Sequence, residues 1–152
     1  MRKKQLWSWG MVGIWMTIIF LFSAQQGSSS GSLSTSVLNM VSSTWAFIFP
    51  SLPFDEQYLH LFIRKGAHFS VYFILGGLVS NAFRTSGVSF KKQIGYAFIF
   101  STLYAASDEF HQSFVPGRGP SIVDVGIDSV GAAVGIFFYH GTRKIILPLL
   151  KK

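Results

Sequence analysis

The chain has no cysteine. Disulfides, thiol catalysis and cysteine-zinc sites are therefore excluded. Acids are scarce, with six Asp and Glu against thirteen Lys and Arg in 152 residues. Charged residues of both signs reach only 12%, about half the share in soluble proteins. Familiar catalytic signatures are missing as well. There is no GxSxG, no Walker loop and no HExxH. Arg118-Gly119-Pro120-Ser121 is not the PSGH-type signature of membrane lipid phosphatases. No internal repeat is visible, and the length suggests one domain.

What is present is apolar and arranged in blocks. Hydrophobic residues make up 49% of the chain, so membrane is the first reading. After Arg2, Lys3 and Lys4, Leu6 to Phe22 carries no charge. That is close to the ~20 residues of a spanning helix, with Trp7 and Trp9 placed for an interfacial aromatic belt. A cleaved signal peptide competes. However, the apolar run is long, and Phe22-Ser23-Ala24-Gln25 lacks a small residue three before the obvious cut. A retained helix is expected. Residues 25–36, rich in Ser and Gly, read as a polar loop. Val37 to Phe49 is too short to span and fits an interfacial amphipathic helix ended by Pro50 and Pro53. Phe54 to Ile63 has helical spacing and leads into the next span.

The expected fold is all-α: an integral membrane bundle of four transmembrane helices over about residues 5–23, 66–83, 93–109 and 121–140. The third is short in apolar residues, with only 93–107 free of acids. Either its helix continues through Asp108 and Glu109 or the bilayer thins there. Placing both termini in the cytoplasm puts ten basic residues and no acid inside. All six acids then lie outside, with Arg64, Lys65 and Arg118. This positive-inside pattern accounts for the net charge of +7 through orientation and anionic lipid, and nucleic acid is not needed. A multi-pass plasma-membrane protein with both ends inside is expected.

That topology brings three polar stripes to the outer end. Arg64, His68, Tyr72 and Gly76 recur every four residues on one helix face, with Lys65 beside them. Tyr104, Asp108 and His111 share a face, with Gln112 adjacent. Ser121, Asp124, Asp128, Gly131 and Gly135 form a third stripe, its GxxxG suited to close helix contact. The candidate catalytic residues are His68, Asp108, Glu109, His111, Asp124 and Asp128. Arg64, Lys65, Tyr72, Gln112, Arg118 and Gln25 are candidates for binding a substrate. Histidine and carboxylate without cysteine suit a divalent metal such as Zn or Mn, although no spacing is diagnostic. The place to look for one lies between His68, Asp108, His111 and Asp124.

Plainer readings stand beside these. Arg64 and Lys65 suit snorkelling interface residues, and Asp124 a helix-start acid. An acid as deep as Asp128 costs about 2.5–3.5 kcal/mol and calls for a partner. Arg118 and Lys65 are the candidates for a purely structural ion pair with it.

The chain resembles the VanZ-like family of small bacterial membrane proteins. The matching residues are Phe22-Ser23-Ala24-Gln25, Arg64-Lys65-Gly66-Ala67-His68-Phe69 with Tyr72, and Ser107-Asp108-Glu109-Phe110-His111-Gln112. Pro116-Gly117-Arg118-Gly119-Pro120, Asp124 and Asp128-Ser129-Val130-Gly131-Ala132 complete them. Ala24 departs from the Ser expected there. The resemblance implies a multispan membrane protein. The name-giving member is associated with low-level resistance to the glycopeptide teicoplanin, and the name carries no biochemical activity. Three functions stay open: an enzyme acting on a membrane lipid or lipid-linked envelope precursor at the outer leaflet; a non-catalytic binder of such a ligand or wall precursor; and a structural protein whose charged cluster locks its helices. The ligand and the oligomeric state are not legible in the sequence.

Overall fold

A computed structural model describes residues 2–24, 39–45, 47–48 and 56–149. The expected polar loop, Gln25, Pro50 and Pro53 lie outside the described residues. Four long helices dominate: α1 (Arg2–Ser23), α2 (Glu56–Thr85), α3 (Phe90–Gln112) and α4 (Ile122–Leu149). Residues 39–45 and 47–48 are helical too, inside the stretch read as an interfacial helix. The described residues contain no strand.

Successive helices run antiparallel. At one end, Asn81 on α2 donates to Ser8 on α1 (3.1 Å), and Trp9 donates to Ser86 (3.1 Å). Phe90, which opens α3, packs on His140 of α4 at the same end. At the other end, Phe20 of α1 stacks on His111 of α3. Lys65 of α2 there meets Asp124 of α4. Helix α1 thus packs against α2 and α3 at both ends of the bundle. Trp7 is exposed, as an aromatic belt requires. Trp9 instead turns inward onto Phe83 and Phe100.

Among the described residues three helical stretches are long and apolar enough to cross a membrane: Arg2–Ser23, Phe62–Thr85 and Ile122–Ile145. Helix α3 is of comparable length but is not among them. Lys91, Lys92, Gln93, Asp108, Glu109 and Gln112 lower its hydropathy. It does continue through Asp108 and Glu109, the first of the two expected solutions. Its 23 residues extend about 34 Å at the standard rise.

The surface is more apolar than that of a soluble protein, and several polar groups are buried. Leu21, Ile99, Leu103, Phe110, Ile122 and Phe137 are exposed, while Ser80, Ser101, Asp108, Glu109, Gln112 and Asp128 are buried. An apolar exterior around a core that mixes Leu75, Val79 and Ile136 with these polar groups suits a lipid surround, where every buried polar group must find its partner within the protein.

The closest packing is between α2 and α4, which run parallel. A Cβ on Gly131 would lie 2.5 Å from the Phe69 carbonyl oxygen, and one on Gly135 would collide with the Phe73 carbonyl oxygen. Gly76 meets the backbone of Ala132 in the same way. Small residues let the two backbones touch. This fixes the register that places His68 beside Asp128.

Candidate functional site

The turn joining α3 to α4 closes one end of the bundle. Gly117 takes a positive φ of 78°, which glycine adopts without the Cβ penalty. Ser121 caps α4: its hydroxyl accepts from the Asp124 N–H at 3.3 Å. The Ser121 N–H donates to Glu109 Oε2 at 2.8 Å. The turn is thereby tied to the end of α3, and Glu109 is aimed inward.

Beneath the turn lies a cluster drawn from three helices. Asp128 is fully buried, and its Oδ2 stands 3.5 Å from His68 Nδ1. That is too long for a firm hydrogen bond. Neither oxygen of Asp128 nor the imidazole Nδ1 has a hydrogen-bond partner. Donor atoms of His68, Glu109 and Asp128 all fall within 4.8 Å of one another. Asp108 is near enough for its charge to act on both His68 and Asp128. Gln112 donates to Asp108 Oδ2 at 3.2 Å, leaving Oδ1 without a partner. Tyr72 is wholly buried with its hydroxyl unpaired, and it feels the charges of Asp108 and Asp128. Ser23, at the end of α1, faces Asp108 without completing a hydrogen bond.

The cations divide differently from the sequence reading. Lys65 Nζ binds Asp124 Oδ1 at 2.6 Å. Asp124 is thus the partner of Lys65, and neither Lys65 nor Arg118 pairs with Asp128. Arg118 lies close to Arg64, Asp108 and Glu109. Burial, with Arg64 adding to it, pushes the Arg118 guanidinium below its usual range; it stays charged at neutral pH. Its buried Nε has no acceptor. Among the described residues neither Arg64 nor Arg118 has a carboxylate within ion-pair distance. Two neighbouring guanidiniums are left with unspent donors.

Of the expected quartet of His68, Asp108, His111 and Asp124, the charge of His111 acts on Asp108 and that of Asp124 on His68 and Asp128, and His111 also meets α1. Its ring stacks on Phe20 with centroids 4.4 Å apart, and its Nδ1 is unpaired. The residues close enough to share a ligand atom are His68, Glu109 and Asp128. Gln25 lies outside the described residues.

The opposite end carries a second polar network that sequence reading missed. The Tyr139 hydroxyl accepts from Arg84 Nε (2.7 Å) and Arg143 Nη1 (3.2 Å) and donates to Asn81 Oδ1 (2.9 Å). Asn81 within an apolar run was the available signal. This network joins α2 to α4 and satisfies its own members, which marks it as structural.

Searches among curated proteins and among solved structures returned no match. A family model described as VanZ/LLP1 matches residues 8–147. That span takes in α2, α3, most of α1 and α4 and every residue of the buried cluster, and the chain belongs to the VanZ/LLP1 family.

Proposed function

We propose that this chain is a multi-pass membrane enzyme with four spans and both termini in the cytoplasm. In this reading its buried cluster lies at the outer-leaflet side, beneath the turn after α3, and acts on the anionic headgroup of a membrane lipid or lipid-linked envelope precursor. Two features support the four spans. Helix α3 is long enough to cross, and its outward side chains Phe98, Ile99 and Leu103 are apolar. The orientation rests on charge. Arg2, Lys3, Lys4, Arg84, Lys91, Lys92, Arg143 and Lys144 gather at one end without an acid, while the described acids lie at the other.

The observation that carries the reading is the pair of unpaired guanidiniums, Arg64 and Arg118, beside buried acid-base groups. Arginine donors match phosphate oxygens in a bidentate way. His68, backed by Asp128, would take a proton from the attacking hydroxyl or water and return it to the leaving group. Asp108, Glu109 and Gln112 would orient it. Tyr72 would complete the headgroup contacts, and Lys65 would join them only by leaving Asp124.

The test is turnover by the purified protein in nanodiscs containing phospholipid or polyprenyl-phosphate-linked precursors. Product should form, and His68→Ala or Asp108→Ala should abolish it. Undiminished product formation by both variants would sink the reading. Saturable binding without product, weakened by Arg118→Ala, would identify a binder. The Lys65–Asp124 pair favours the structural lock as a second reading, since it ties α2 to α4 without any ligand. The teicoplanin connection is tested by drug tolerance. Expression in a susceptible host should raise it, and His68→Ala should remove the gain.

A further inference from the structure

The donor atoms of His68, Glu109 and Asp128 crowd one small buried volume. Around a divalent ion with ~2.1 Å bonds, ligand atoms stand roughly 3–4 Å apart. Atoms already within 4.8 Å of one another reach that spacing by small side-chain rotations. An acidic cluster alone would not point to a ligand, but two further observations do. Asp128 is completely buried, and neither of its oxygens accepts a hydrogen bond. Tyr72, also completely buried, has an unpaired hydroxyl beside the same acids.

Charge points the same way. Three carboxylates, Asp108, Glu109 and Asp128, lie in the interior; among the described residues His68 is the only side chain in ion-pair contact with any of them, with Arg118 near Asp108 and Glu109 but beyond that distance. Lys65 is committed to Asp124. Unneutralised acids at this depth are costly. Either protons or a cation must offset them.

We propose that His68, Glu109 and Asp128 form a binding site for a divalent transition-metal ion of the Mn2+ or Zn2+ class. One imidazole and two carboxylates, without thiolate, suit such ions. The three ligands come from α2, α3 and α4, so the ion would join the helices at the closed end of the bundle. Asp108 stands next to the site, oriented by Gln112, as an outer carboxylate supporting the ligands. The Ser121 N–H holds one oxygen of Glu109 and leaves the other for the ion. This site is tested apart from the lipid reading, because the ion alone is the probe; with the ion bound His68 would be its ligand, and the neighbouring Asp108 would take the proton in that reaction.

The full chain, purified in detergent, would be assayed for metal by elemental mass spectrometry. It would then be stripped with chelator and titrated separately with MnCl2 and ZnCl2 by calorimetry. About one ion per chain is expected, with a raised melting temperature on binding. His68→Ala, Glu109→Gln and Asp128→Asn should each weaken binding at least ~10-fold, the scale seen when ligand support is lost. His140→Ala, at the opposite end, should bind as the parent does. A wild-type chain that keeps its helical circular dichroism yet takes up neither ion would overturn the proposal, whatever the variants do. Equal binding by a folded His68→Ala and a folded Asp128→Asn protein would do so as well.

Discussion

Asp128 has two buried oxygens and no donor for either. A carboxylate in that state contributes charge without the hydrogen bonds that would offset its burial. Replacing it with Asn removes the charge and breaks no firm bond. In chelator, Asp128→Asn should therefore change stability by less than about 1 kcal/mol in a denaturation experiment. A loss of about 3 kcal/mol or more would instead mark a structural ion pair with His68. The Lys65–Asp124 pair is different, short but partly open to solvent, with the lysine side chain 39% exposed. Exposed pairs are worth at most about 1 kcal/mol, so Lys65→Ala should lower stability by no more than that. A larger loss in the same measurement would favour the lock reading. Both partners were singled out in the sequence, but their pairing was not. Asp124 and Asp128 are one turn apart, and only the packing decides which of them faces Lys65.

At the scale of the helix, the decisive contact is glycine against carbonyl. Gly135 sits where a Cβ would strike the Phe73 backbone, whereas nothing lies within 4 Å of a Cβ on Gly126. Gly135→Ala should therefore separate α2 from α4 at a cost of up to about 3 kcal/mol. It should also disturb the His68–Asp128 juxtaposition. Gly126→Ala, on the same helix, should be neutral or stabilising by about 0.5–1 kcal/mol through helix propensity. Comparing melting temperatures of the two variants checks both. Most of the helical framework was legible, because uncharged runs between basic residues mark where a helix lies in lipid. The extents were less so. Helix α2 begins at Glu56, within the stretch from Phe54 whose spacing was read as helical, while α3 carries on to Gln112, three residues past the expected span. Backbone hydrogen bonding continues where hydropathy has already fallen, so a hydropathy reading stops short of the helix end. Trp9 was misread for a related reason: its place along the helix suited a belt, but its face points to Phe83.

For the whole molecule, the proposed orientation can be tested cleanly because the chain lacks cysteine. Ser89 and Gly119 are both exposed, at opposite ends of the bundle. A membrane-impermeant maleimide added to intact cells should label Gly119→Cys and not Ser89→Cys. Ser89→Cys should become reactive only after permeabilisation. The reverse pattern would place the cluster on the cytoplasmic side and remove the outer leaflet from the functional reading.

Sequence alone determined that this is a helical membrane protein, since long apolar runs have few other soluble or spanning solutions. It also determined that the acids collect at one end and most of the basic residues at the other, because the two kinds alternate between successive apolar runs. The tertiary structure decided what those groups do to one another. Close backbone contact through Gly76, Gly131 and Gly135 sets the parallel register of α2 and α4. That register gives Lys65 to Asp124 and brings His68 to Asp128. The turn after α3 brings in Glu109, and His111 is left against Phe20. Residue spacing fixes the face of one helix, but the angle and offset between helices come only from how their surfaces fit.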